Sequence, residues 1–417
     1  MTDRREAQRI YNALFPYYAE VCVVTQFHKK GAQPGGWGGH AGMFLGGSEI
    51  EGGAGYPRLR LVANETSASD PDSGTGVSVN KVFRNVNWVG IPGRDEFFRG
   101  GLAPDATLDA PFYEHAIERA TTSGWFNGIE ITDALMRQRP ATMPAHEFIV
   151  RQSIGTDFAV NVARTAYCAR LPMSRAALGR VIGYLNRVNE TAQSGGYIWN
   201  AYTNNCSHVA HNALAAAGVW DPKETRGPTL LNVLSDVASV AKALTMRRMS
   251  DFSFPANNFV RTYEAGNGRP IDDVRAAYQD HDIVRTLDDG WLTTGPGALI
   301  VTYQMHGPAQ NELFTAGRDP FLFSVPRLWD KERTFAWLTR SAPTTVTDLG
   351  ANLADFRERY TRILDGARPD AGGTNVESAA EFELFSDRFY DYVAAELVRT
   401  DARITAYGRL AGQARDV

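Results

Sequence analysis

Between Gly31 and Gly55, 11 of 25 residues are glycine. They bracket one short apolar run, Ala41-Gly42-Met43-Phe44-Leu45. Residues without a Cβ suit turns and places where backbone closely approaches another group, so the span reads as a short strand held between turns. A phosphate-cradling loop would need a Gly-Lys-Ser/Thr ending followed directly by a helix. The sequence has neither.

Patterning elsewhere predicts a mixture of strands and helices. A short helix and then a strand, Val21–Phe27, occupy residues 6–28. Further strands are expected at Arg58–Val62, Val77–Val89 and Phe158–Ala169, with helical residues over 109–140. Ser174 opens an amphipathic helix, because Ala177, Leu178, Val181, Ile182 and Leu185 recur at helical spacing. A second helix is expected from Cys206 to Ala217, stopped by Gly218. Asp221–Pro228, rich in Pro, Gly and charge, is the best boundary. It divides the 417 residues into a first domain, 1–225, and a mostly helical region, 226–417, whose one strong strand is Ala298–Tyr303.

Composition excludes several classes. Lys plus Arg is 43 against 47 Asp plus Glu, a formal charge of −4, without the basic excess that a phosphate-tracking surface carries. No run of eighteen apolar residues exists to form a membrane span. The charged start, Met1 to Arg9, lacks the features of an export signal, and a cytoplasmic protein is expected. The cysteines, 22, 168 and 206, are odd in number and form no CxxC pair, which argues against a disulfide framework or zinc ribbon. Cys22 and Cys168 read as small buried hydrophobes within strands.

Cys206 has different surroundings. Asn204 and Asn205 are good N-cap residues and place the thiol in the first turn of a helix. Unpaired backbone N–H groups and the helix dipole there favour negative charge, which lowers a thiol pKa. The same N–H groups can hold the oxyanion of an attacked carbonyl. A nucleophilic thiolate needs a base, and His is the usual one. His40, opening the strand among the glycines, is the candidate. His208 and His211 share the cysteine's helix, but Cys206 and His208 lie about 200° apart around it, which spoils a shared metal site. No metal or cofactor is expected.

Gly39-His40-Ala41-Gly42-Met43-Phe44-Leu45-Gly46, far upstream of Tyr202-Thr203-Asn204-Asn205-Cys206-Ser207-His208, resembles the permuted branch of the NlpC-type papain-like superfamily. There a His at a strand start precedes, in sequence, a Cys at a helix start. Lecithin:retinol acyltransferase-like enzymes, PPPDE-type isopeptidases and bacterial Lnb-type domains carry related motifs. The resemblance covers roughly residues 20–220 and implies an α+β fold, with an antiparallel sheet packed on the cysteine helix. It implies acyl transfer through a thioester, with Cys206 as nucleophile and His40 as base. Asn205, Glu51 and Tyr202 are candidates for orienting the imidazole or holding the oxyanion, and Glu49, Asn80, Asn85, Asn87 and Asp95 are further polar residues in that part of the chain. Hydrolysis of an amide or isopeptide bond is the expected reaction, and a peptide, isopeptide or acyl-lipid the expected substrate. A lipid-directed acyltransferase or phospholipase, and a catalytically silent binding protein of the same fold, are the alternatives.

Overall fold

The computed structural model describes residues 4–24, 28–29, 33–34, 40–52, 55–79, 82–98, 110–152, 165–195, 206–217, 296–304, 347–366 and 379–414. Helix α1 (Arg4–Leu14) leads into β1 (Tyr18–Val24). A small pair of strands, β2 (His28–Lys29) and β3 (Gln33–Pro34), leads into β4 (His40–Gly46) within the glycine-rich span. A hairpin, β5 (Ser48–Glu51) and β6 (Arg58–Leu61), and the turn α2 (Glu65–Ala68) precede β7 (Thr75–Val79) and β8 (Trp88–Pro92). Next come α3 (Arg94–Phe97), α4 (Ala110–Thr122), α5 (Asp133–Met136) and α6 (145–152). Then follow β9 (Thr165–Pro172), α7 (Arg175–Gln193), α8 (Cys206–Ala216), β10 (Leu299–Gln304), α9 (Leu349–Asp365) and α10 (Ala379–Gln413).

The fold is α+β. One antiparallel sheet runs β10-β9-β1-β4-β7-β8, and strand alternation divides its residues between two helical layers. Ala19, Val21, Met43, Leu45, Val77, Val79 and Leu171 form one core with α7 and α8. Tyr18, Cys22, Phe44, Ile91, Cys168 and Leu299 form another on the opposite face, with α1, the α3 end and α9. A third cluster joins Val89 to α4, α5 and α6 through Ile117, Leu135 and Phe148. Two glycines mark places where an aromatic ring lies directly on the strand backbone. A Cβ at Gly76 would overlap the Phe97 ring, and one at Gly46 would overlap the Tyr18 ring.

Helix α7 follows its sequence pattern closely. The Ser174 side chain caps it, accepting from the Ala177 N–H at 3.1 Å, and Leu178, Val181, Ile182, Leu185 and Asn189 form its buried stripe. The run Val77–Val89, expected to be one strand, is instead a hairpin with arms ending at Val79 and restarting at Trp88. A polar hub fixes the restart. Fully buried Asn189 accepts from the N–H groups of Asn87 (2.8 Å) and Trp88 (3.1 Å) and donates to the carbonyls of Pro57 (3.1 Å) and Trp88 (3.0 Å). Asn189→Ala would leave these buried backbone groups without partners, and should cost about 2–3 kcal/mol in urea unfolding. A change within error would show that water replaces the amide there.

Chain beyond residue 225 is built into the same sheet. Edge strand β10 pairs with β9, Leu299 opposite Arg170. Its entry is held by Asn352 of α9, which accepts from the Gly297 N–H at 2.6 Å, and by the Tyr11 hydroxyl, which donates to the Gly297 carbonyl at 2.8 Å. The described elements of the second half therefore share a core with the first.

Candidate functional site

Helix α8 is narrow on the side that meets the sheet: Val209, Ala210, Ala213, Leu214 and Ala217 are buried, and three of them are alanine. Small side chains let the helix lie close against β4 and β7. It runs antiparallel to α7, because Arg180, near the start of α7, donates to the carbonyls of Ala216 and Ala217 at the end of α8 (3.3 and 3.2 Å). Tyr184, one turn further along α7, is hydrogen-bonded to Asn212, and burial raises its phenol pKa.

These contacts fix where Cys206 sits. Helix α7 starts beside the Tyr18–Gly46 end of the sheet, where the Met173 N–H donates to the Tyr17 carbonyl at 2.9 Å. It finishes at the other end, where Asn189 holds the start of β8. The antiparallel α8 therefore begins at that second end, and Cys206 is its first residue. The backbone of His40 opens β4 at this same end, opposite Val24. The fold brings the helix start carrying Cys206 and the strand start carrying His40 to one end of the sheet. Cys206 is half-buried, packs on the α7–α8 core and retains its thiol.

The other sequence candidates separate. Tyr202 and Asn205 lie outside the described residues, as does Asn80. Glu51 is half-exposed and accepts from its cross-strand partner Arg58 at 3.2 Å. Glu49 pairs in the same way with Arg60 at 3.0 Å. Asn85 braces a loop, donating to the Gly128 carbonyl at 2.7 Å and accepting from the Glu130 N–H at 2.8 Å. Asp95 pairs with Arg5 at 2.9 Å. Asn87 is the exception. It is buried at the Cys206 end of the sheet, and neither side-chain polar atom has a hydrogen-bond partner among the described residues. Parity along β4 also matters. Met43 and Leu45 pack on the α7–α8 side and Phe44 on the other; position 40 has the parity of Phe44.

A second polar cluster lies inside the opposite face of the sheet, around a carboxylate with no local partner in sequence. Glu20, fully buried in the middle of β1, accepts from Arg94 at 2.8 Å and from Arg170 at 3.1 Å. Arg94 also donates to the Tyr18 hydroxyl at 2.8 Å, and Arg170 to Gln8 of α1 at 2.8 Å. The Arg94 guanidinium lies over the Phe44 ring (4.3 Å) and the Arg170 guanidinium over the Tyr11 ring (4.3 Å), so flat cations fill an otherwise aromatic layer. The signal was present in Tyr18-Ala19-Glu20-Val21-Cys22, where a lone carboxylate alternates with core positions. Its partners come from residues 94 and 170, which no local pattern links to it.

Cys22 and Cys168 are the clear correction. They are not independent small hydrophobes but a disulfide between directly opposed residues of β1 and β9, with Cα atoms 4.1 Å apart. Pairing register, invisible in either segment alone, makes the bond. Glu20 and the two sulfurs lie within 4.8 Å of one another, but both sulfurs are spent on the bond and two guanidiniums hold the carboxylate, so this cluster has no ligand set for a cation. The chain matches no known protein family, no curated protein and no solved structure.

Proposed function

We propose that this protein is a cysteine-nucleophile acyl-transfer enzyme of permuted papain-like architecture, hydrolysing an amide or isopeptide bond. One observation carries the reading: the half-buried thiol at the first residue of α8 and the strand start of His40 occupy the same end of the sheet. In this mechanism the Cys206 sulfur attacks a carbonyl, and first-turn N–H groups of α8 hold the oxyanion. His40 takes the thiol proton and returns it to the leaving amine, and water then hydrolyses the thioester. A silent binding protein of the same fold is the second reading, favoured by the parity of position 40.

Thiol reactivity tests the reading directly. Iodoacetamide at neutral pH should modify Cys206 in the native protein and leave Cys22 and Cys168 untouched, as read by peptide mass spectrometry. The low thiol pKa expected at a helix start should keep the rate high well below pH 8. A Cys206 that reacts only with the pH dependence of an ordinary thiol, pKa about 8.5, would favour the silent protein.

A further inference from the structure

We propose that the Cys22–Cys168 disulfide is a permanent cross-link installed during folding by thiol–disulfide exchange, so that the chain matures and works in an oxidising compartment. The two residues are 2% and 1% exposed. They lie on the sheet face covered by α1 and α9, in a core with Tyr11, Phe44 and Leu353. In the folded molecule the bond is shielded from reductant and oxidant alike, so it has to form before the helices close over the sheet. It joins positions 146 residues apart in sequence and ties β9, the strand on which β10 depends, to the first strand. A link of that span restricts the unfolded chain strongly.

The chemistry requires a disulfide donor, such as oxidised glutathione or a dithiol oxidoreductase. One cysteine thiolate attacks the donor to give a mixed disulfide and release one donor thiol. The second cysteine thiolate then displaces the other donor thiol. Two protons and two electrons pass from Cys22 and Cys168 to the donor, and the donor disulfide is reduced. A reducing cytosol opposes this step, so the proposal departs from the cytoplasmic expectation drawn from the charged start of the chain. Cys206 packs on the opposite face of the sheet, so its thiol is separated from the bond and does not unravel it by internal exchange.

The test uses the full chain, produced both by a secretory route and in a reducing cytosol. Denaturing the secreted protein in excess iodoacetamide without reductant should modify one cysteine, Cys206. Its peptide map should show the Cys22 and Cys168 peptides joined, two hydrogens lighter than the separate thiols. Excess dithiothreitol should leave the link intact in the native protein and break it after denaturation. Cytosolic protein with all three thiols reduced, or the double variant Cys22→Ala/Cys168→Ala, should melt roughly 5–10 °C lower. Three alkylated cysteines in the secreted protein would overturn the proposal, and so would a reduced chain that melts with the oxidised one. The alkylation count uses the unaltered chain, so it decides the matter even if the double variant does not fold.

Discussion

Truncating Glu20 to alanine should destabilise the protein by about 3–5 kcal/mol, the scale set by breaking a buried ion pair on one side. The carboxylate is fully buried and receives hydrogen bonds from Arg94 and Arg170, which are also buried. Without it, two guanidiniums remain inside the layer between the sheet and α1, with like charges facing each other. Glu20→Gln keeps the shape and one acceptor but removes the charge, so its cost should fall between wild type and alanine. The triple variant Glu20→Leu/Arg94→Met/Arg170→Met should recover much of the alanine loss, because apolar groups of similar volume carry no desolvation cost there. Urea unfolding measures all three. A Glu20→Ala loss under about 1 kcal/mol would mean that water reaches the site and solvates the guanidiniums.

His40→Ala should slow Cys206 alkylation at pH 7 by roughly 10- to 30-fold. A thiol of ordinary pKa near 8.5 is only about 3% ionised at pH 7, whereas a thiolate paired with an imidazolium at a helix start is mostly ionised; that ratio sets the size of the effect. The thermal midpoint should stay nearly constant, as expected of a residue that serves the thiol rather than the packing of the fold. His208→Ala should have the smaller effect, because His208 lies about 200° around α8 from Cys206. If the His208 change silences the thiol while the His40 change does not, the base is misassigned. That outcome would agree with the parity of position 40, which matches Phe44 and not Met43. Equal rates in both variants and wild type would exclude His40 and His208 as the base and favour the silent protein.

The corrections share a cause. Residue types announced what each position could be, but not which distant position it would meet. Cys22 and Cys168 each fit the buried face of a strand, and only the β1–β9 register sets them opposite one another. Glu51 reads locally as a carboxylate without a partner, and its pairing with Arg58 comes from the β5–β6 register, which strand propensity does not specify. The hairpin within Val77–Val89 depends on Asn189, about a hundred residues away, capturing backbone N–H groups at the restart.

By itself the sequence determined the local elements: the capped α7 with its stripe at helical spacing, the helix beginning at Cys206, the strand among the glycines and the helical C-terminal segments. These follow from periodicity, capping and glycine conformational freedom, all of which act within a few residues. Only the tertiary structure decided the strand order, the disulfide, the buried Glu20–Arg94–Arg170 cluster, the entry of β10 into the first half's sheet and the end of that sheet at which α8 begins. Each of these depends on register and helix direction. They are set by the joint burial of two faces and by hydrogen bonds between segments up to 286 residues apart, as between Tyr11 and Gly297, and no window of sequence contains both partners.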